Sequence, residues 1–288
     1  GYLTMHTTYD PVSGTEQPYP IISIVSMIAW GLGYFGMPHI LLRFMAIEDE
    51  EKLKLSRRVA TGWVVISLAV AVLIGIIGLA MTAAGELIPL EGSASETIIV
   101  KIADLMSQHG VLPALLAGTI LAGILASTMS TADSQLLAAS SSVSSDLLGD
   151  FLKKKTGKKG SMFADRITLL IIALIAVFLA RDPNSSVFNI VSFAWAGFGA
   201  VFGPVVLFAL FWKRSNWQGA LAGMISGGAM VFIWKYLVRP LGGAWDIYEL
   251  LPAFVFSCIC IVVVSLLTPE PSEQIKREFE EVQSGAAR

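Results

Sequence analysis

The sequence predicts an all-α integral membrane protein, a helical bundle with about seven spans. Its 288 residues have a mean hydropathy of +0.69, and 55% of them are hydrophobic. Only 15% are charged, against about 25% in soluble domains. Apolar runs long enough to cross a bilayer, which takes about 20 residues, recur along the chain. We predict spans over residues 20–43, 58–84, 112–148, 163–181, 187–212, 216–238 and 247–268.

Basic residues in the connecting segments alternate along the chain. Lys and Arg cluster after the first, third, fifth and seventh spans, including the run "KKKTGKK" (Lys153–Lys159), and the other connections carry few. Cytoplasmic loops carry an excess of Lys and Arg. The sequence therefore predicts an outer segment over 1–19, a transmembrane domain over 20–268 and a cytoplasmic tail over 269–288, with the N-terminus outside and the C-terminus inside.

The first span contains a glycine-rich stretch that leads into a proline, "AWGLGYFGMPHI" (Ala29–Ile40). Proline removes a backbone donor, and each glycine weakens the helix. One interpretation is close helix packing through small residues. The other is a discontinuous helix whose freed backbone groups face a ligand. In that case Trp30 and Tyr34 lie on one face, and Tyr34 offers a ligand both a ring and a hydroxyl.

The third span contains an unusually polar stretch, "ILASTMSTADSQLL" (Ile124–Leu137). Four hydroxyl residues recur at intervals of three and four and share a helix face: Ser127, Ser130, Thr131 and Ser134. Such hydroxyls can bond to carbonyls of their own helix, or supply part of an oxygen shell for a small monovalent cation. Asp133 is costly in a membrane, so we expect it to face a water-filled inner vestibule.

Two later stretches are rich in small residues. "SFAWAGFGAVFGPVVLF" (Ser192–Phe208) suits either cavity lining or close packing, and "GALAGMISGG" (Gly219–Gly228) suits a packing face. The sequence contains no visible nucleophile–base set, phosphate loop or metal-ligand cluster. It therefore does not favour an enzyme.

The motifs resemble the sodium/solute symporter family, and most closely its sodium/proline symporters. "WGLGYFGMPHILLRFMA" (Trp30–Ala46), "ILASTMSTADSQLL" and "VSFAWAGFGAVFGPVVLF" (Val191–Phe208) carry the resemblance. The resemblance implies a LeuT-type fold, in which spans one to five form the second inverted repeat and two additional transmembrane helices follow. It also implies that the first repeat, the N-terminal half of the same carrier, is missing from this chain.

The resemblance further implies the site residues and the activity. The co-transported sodium ion would bind the hydroxyls of Ser130 and Thr131 and the backbone carbonyl of Ser127. The substrate site would include the side chains of Trp30, Tyr34 and Pro38. The implied activity is sodium-coupled symport of L-proline by alternating access across a prokaryotic cytoplasmic membrane, with a small-molecule substrate and the lipid bilayer as partners.

Two alternatives stay open from the sequence. Met37 stands where a Gln is usual in the proline carriers, so another small solute, such as pantothenate or a sugar, is one of them. The other belongs to a different class, a seven-span receptor or sensor, which shares the predicted topology. The broken first span and the polar third span argue against a receptor.

Overall fold

The computed structural model describes residues 7–9, 15–49, 51–143, 149–181 and 186–284, which form ten α-helices and one short hairpin. The helices are α1 (Ile21–Ala29), α2 (Pro38–Met45), α3 (Lys52–Ala83), α4 (Ile98–Ser107), α5 (Val111–Ser141), α6 (Gly149–Leu179), α7 (Val187–Phe211), α8 (Trp217–Ile233), α9 (Leu250–Leu267) and α10 (Glu273–Ser284). The hairpin pairs β1 (Thr7–Tyr9) antiparallel with β2 (Glu16–Pro18), within the predicted outer segment. The predicted all-α class is confirmed.

Six of the seven predicted spans match apolar helices. In the described part of the chain, five helices are long and apolar enough to cross a membrane: α3, α5, α7, α8 with the turns that follow it to Leu241, and α9. The bent pair α1 and α2 makes a sixth when it is counted as one span. The predicted span 163–181 falls in α6, where not every side chain is described, and stays a prediction. Residues 144–148 of the predicted third span lie outside the described residues.

The basic run Lys153–Lys159 is helical rather than a connection between helices, since it lies within α6. Lysine is a good helix former, and a helix can continue beyond the bilayer when its flanking residues favour it. The predicted start of the span at residue 163 lies within this helix and stays a prediction.

The chain divides into two compact units. The first unit contains residues 1–48 and 188–288, and the second contains residues 49–187. The core of the first unit lies between α7 and α9, where Ala196, Ala200 and Leu250 are fully buried. Small residues on α7 allow the close approach of its neighbours.

The predicted packing face of α8 is confirmed. A Cβ added at Gly219 would lie 1.9 Å from the Ser265 hydroxyl oxygen, and one at Gly223 would lie 2.4 Å from the Ile261 side chain. The Ser257 hydroxyl also donates a 2.9 Å hydrogen bond to the Gly223 carbonyl. Glycines spaced four apart thus let α9 pack directly on the backbone of α8.

The second unit joins α3 to α6 through a few close contacts. A Cβ at Gly78 of α3 would lie 2.4 Å from the side chain of Ile98, the first residue of α4. The Ser140 hydroxyl of α5 donates a 2.9 Å hydrogen bond to the Asp165 carbonyl of α6. The Glu96 carboxylate accepts a 3.1 Å hydrogen bond from the Val187 N–H.

The tail helix α10 has local ion pairs at its start, and the pair between Glu280 and Lys213 links it to the segment that follows α7. Lys276 binds the carboxylates of Glu270 and Glu273 at 2.7 and 2.9 Å, and Lys213 pairs with Glu280. The hydrogen bond from Lys276 lowers the pKa of the Glu270 carboxyl, and the one from Lys213 lowers the pKa of the Glu280 carboxyl. All these groups are solvent-accessible, so the pairs orient α10 more than they stabilise the fold.

Candidate functional site

The first span is interrupted at the predicted position. Helix α1 ends at Ala29, a 3₁₀ turn runs over Trp30–Gly36, and α2 begins at Pro38 after a bend of 54°. Met37 has an extended backbone, with φ −85° and ψ 113°. A residue before proline is disfavoured in the α region, and proline cannot donate to the preceding turn. Pro38 therefore explains where the helix breaks, and the predicted discontinuity is confirmed.

The broken helix also packs closely, so the packing interpretation of its glycines is confirmed together with the discontinuity, and a ligand facing the freed backbone groups stays a prediction. A Cβ at Gly36 would lie 2.3 Å from the Phe198 carbonyl oxygen, and one at Gly199 would lie 2.7 Å from the Gly33 Cα. Backbone meets backbone at these two points. The stretch Ser192–Phe208 is thus a packing face against the broken helix along part of its length.

Trp30 lies in an aromatic stack. Its ring centroid is 5.5 Å from that of Phe188, 5.3 Å from that of Trp195 and 6.0 Å from that of Tyr248. All three pairs are nearly parallel, with interplanar angles of 15° or 16°. Stacked rings of this kind add to the free energy of burial. Trp30 therefore anchors the first turn of the break in the first unit.

Tyr34 is the more accessible of the two aromatic residues predicted for the substrate. It is 50% exposed, and its ring meets the Trp195 ring edge-on with centroids 4.9 Å apart. Pro38, four residues further on, is also exposed. Tyr34 and Pro38 are thus both accessible along the interrupted segment.

Sequence reasoning missed two aromatic residues at this site. The Trp195 indole N–H donates a 3.0 Å hydrogen bond to the Trp30 carbonyl. The Tyr248 hydroxyl donates to the Ser192 carbonyl at 2.5 Å, and its N–H donates to the Ser26 hydroxyl at 2.9 Å. Trp195 is the single tryptophan of the small-residue stretch Ser192–Phe208, and that was the available signal. Tyr248 carried no local signal.

The predicted sodium ligands all lie on α5. The Thr131 hydroxyl donates a 3.2 Å hydrogen bond to the Ser127 carbonyl, so two of the three predicted oxygens are adjacent. Ser130, the third residue, accepts a 3.0 Å hydrogen bond at its carbonyl from the Ser134 hydroxyl. These are the local bonds that Ser and Thr make in membrane helices. The residues are exposed, as is Asp133.

The two predicted sites belong to different units. Trp30, Tyr34 and Pro38 lie in the first unit, whereas Ser127, Ser130 and Thr131 lie in the second. Within the first unit the predicted substrate residues share one short segment. Within the second unit, the predicted sodium ligands lie within five consecutive residues of α5, Ser127–Thr131.

Comparison with known proteins identifies the family of this chain. The profile of the Sodium:solute symporter family matches residues 5–227. Similar proteins include the Sodium/proline symporter of Haemophilus influenzae, 41% identical over 91% of this chain and 51% of that protein. The Osmoregulated proline transporter OpuE of Bacillus subtilis is 40% identical over 90% of this chain and 51% of its own length, and the Sodium/proline symporter of Escherichia coli is 40% identical over 90% and 50%.

The chain spans about half the length of the curated relatives it matches. No solved structure matches it. The family match covers most of the chain, and the apolar helices fit an integral membrane protein. The chain therefore belongs to the sodium:solute symporter family.

Proposed function

We propose that this chain acts, with a preceding half of the same carrier, in the sodium-coupled symport of L-proline across a prokaryotic cytoplasmic membrane. The observation that carries the proposal is the identity of about 40% to proline transporters over about nine-tenths of this chain. Membership of a symporter family supports this function over the seven-span receptor that the topology alone allowed.

The broken helix supports the substrate part of this proposal. Irregular backbone at membrane depth is found where it is buried in protein or lines a cavity, and interrupted helices mark binding sites in transporters. Trp30, Tyr34 and Pro38 follow one another along this interruption. The exposed ring and hydroxyl of Tyr34 suit a small zwitterion that has one apolar face.

The hydroxyl residues of α5, Ser127, Ser130 and Thr131, support the sodium part of this proposal. A monovalent ion that must bind and leave needs several neutral oxygens rather than dense carboxylates. The Ser127 carbonyl and the Thr131 hydroxyl already lie within 3.2 Å of each other. The Ser130 hydroxyl would complete the share of ligands that α5 provides, and the remaining ligands would come from the preceding half.

The arrangement that we propose is LeuT-type. Helices α1 to α7 would form the second of two inverted repeats, and α8 and α9 would follow it. The N-terminus would lie outside and the C-terminus in the cytoplasm, as the basic connections predict. Transport would proceed by alternating access, because sodium and proline each favour the same arrangement of the broken helices and so raise each other's affinity.

The energetics of one sodium ion suffice for accumulation. One charge moving through about 100 mV releases about 2.3 kcal/mol. A roughly tenfold sodium gradient adds about 1.4 kcal/mol. Together these terms support solute accumulation on the order of several hundred-fold.

A competition uptake assay on the full-length parent tests the function. We expect labelled proline to enter cells only when sodium is present, and excess unlabelled proline to block that uptake. Pantothenate and glucose serve as matched competitors, because they represent the alternative solutes. Sodium-independent uptake, or block by pantothenate or glucose in place of proline, would contradict the proposal.

Removing either ligand hydroxyl should weaken sodium binding. We expect Ser130→Ala and Thr131→Ala each to raise the sodium concentration for half-maximal uptake about tenfold, because each loses one oxygen of a small shell. Thr128→Ala is the matched control, since the Thr128 hydroxyl bonds to the Ile124 carbonyl on the same helix at 2.9 Å but lies outside the predicted shell. Equal sodium dependence in all three variants would remove the ion assignment.

Truncating Tyr34 should weaken solute binding. We expect Tyr34→Ala to raise the proline KM about tenfold or more, because both the ring and the hydroxyl are lost. Phe35→Ala is the control, since Phe35 is the neighbouring aromatic residue and is 42% exposed. An unchanged KM in Tyr34→Ala, or the same rise in Phe35→Ala, would move the solute site elsewhere.

A further inference from the structure

We propose that Trp195 is a positioning residue of the solute site, which fixes the 3₁₀ turn of the broken helix and the orientation of the Tyr34 ring. The inference rests on the proposed function in so far as that turn binds the solute. The inference goes beyond the proposed function, because Trp195 was not among the predicted site residues. Trp195 acts through Trp30, Gly33 and Tyr34.

The indole of Trp195 fills the space beside Gly33. A Cβ added at Gly33 would lie 1.9 Å from the Trp195 Nε1 atom and 2.3 Å from its Cδ1 atom. The ring therefore lies directly against the backbone of the turn, where any side chain on Gly33 would stand. The absence of a side chain at Gly33 thus allows Trp195 of α7 to pack against the turn.

A hydrogen bond fixes the indole to the first residue of the 3₁₀ turn. The Trp195 N–H donates to the Trp30 carbonyl at 3.0 Å. An indole has a single donor and no acceptor, so this bond sets the direction in which the ring points.

Close packing of α7 fixes the position of the Trp195 backbone. Ala196 is fully buried, and a Cβ at Gly199 would lie 2.7 Å from the Gly33 Cα. Backbone contact at Gly199 sets the distance between α7 and the turn. One helical turn before that contact, the indole lies against Gly33.

Trp195 also supports the ring of Tyr34. The two rings meet edge-on with centroids 4.9 Å apart, at an interplanar angle of 84°. Tyr34 is otherwise half exposed, so this contact holds one side of its ring. Loss of the support should therefore change the affinity for the solute more than the amount of folded carrier.

The first test uses Trp195→Phe in the full-length carrier reconstituted into vesicles. The ring is retained and the N–H donor is lost. We expect the solute KM to rise about tenfold, with the maximal rate changed by less than about twofold. Trp217→Phe is the control, because Trp217 is 71% exposed. An unchanged KM, including one accompanied by less folded carrier, would overturn the proposal.

The second test does not depend on the solute. Gly33→Ala should lower the thermal midpoint of the purified carrier. In a carrier that already has Trp195→Ala, the same change should lower the midpoint no further, because the indole no longer fills the space beside residue 33. Strictly additive losses would overturn the contact between the two residues. If the parent takes up a solute other than proline, the proposed function fails in that respect, and the KM test of Trp195 is then made with that solute.

Discussion

Gly36→Ala should lower the free energy of unfolding of the carrier by about 3 kcal/mol, because the added methyl group would have no room. A Cβ at Gly36 would lie 2.3 Å from the Phe198 carbonyl oxygen, 2.9 Å from the Gly199 Cα and 2.9 Å from the Gly203 N. All three atoms belong to the backbone, so no side chain can rotate to make space. The broken helix and α7 would have to separate.

Gly31→Ala is the matched control for this prediction. Gly31 lies in the same 3₁₀ turn, a Cβ added there meets nothing within 4 Å, and its φ is not positive. Alanine at such a site stabilises by up to about 1 kcal/mol, since it restricts the unfolded chain. The measurement is the thermal midpoint of both purified variants in detergent. Equal midpoints for Gly31→Ala and Gly36→Ala would contradict the packing described for the turn.

Arg239→Met should be the second strongly destabilising change, by about 3 kcal/mol. The carboxylate of Glu249 is 1% exposed and accepts a 2.9 Å hydrogen bond from the Arg239 Nη1. Lys235 is its other cation, at 3.8 Å, and its ammonium lies 3.8 Å from the centre of the Phe193 ring. Removing Arg239 leaves a buried carboxylate without its closest partner, which costs more than the pair contributes.

Two further variants make this prediction specific. Asp246→Asn removes the other partner of Arg239, at 2.8 Å, but that carboxylate is 57% exposed, so we expect a loss below about 1 kcal/mol. Glu249→Gln combined with Arg239→Met removes the buried charge together with its partner and should recover part of the stability. Chemical unfolding of the unmodified protein, Arg239→Met, Asp246→Asn and the double variant checks this order of stability. A double variant less stable than Arg239→Met alone would show that the unpaired charge is not the cause.

Local chemistry let the sequence predict much of the fold. The apolar runs predict spans because only helices satisfy the backbone in lipid at such lengths, and six of the seven predicted spans match apolar helices. The break before Pro38 was predictable because proline restricts its own residue and the one before it. The stripe from Gly219 to Gly227 was also predictable, since glycines at intervals of four indicate a packing face without knowledge of the partner.

Only the tertiary structure decided which residues meet. Trp195 and Trp30 are 165 residues apart in the chain, and Tyr248 and Ser26 are 222 apart. Such contacts depend on the register in which whole helices pack, and hydropathy and helical periodicity carry no information about that register. The ion pair of Glu249 is more local, since Arg239 lies 10 residues earlier in the chain, in the turns before α9. The sequence by itself determined the helices, the position of the break and the packing stripes, whereas the packed structure determined the aromatic and charged clusters that hold them.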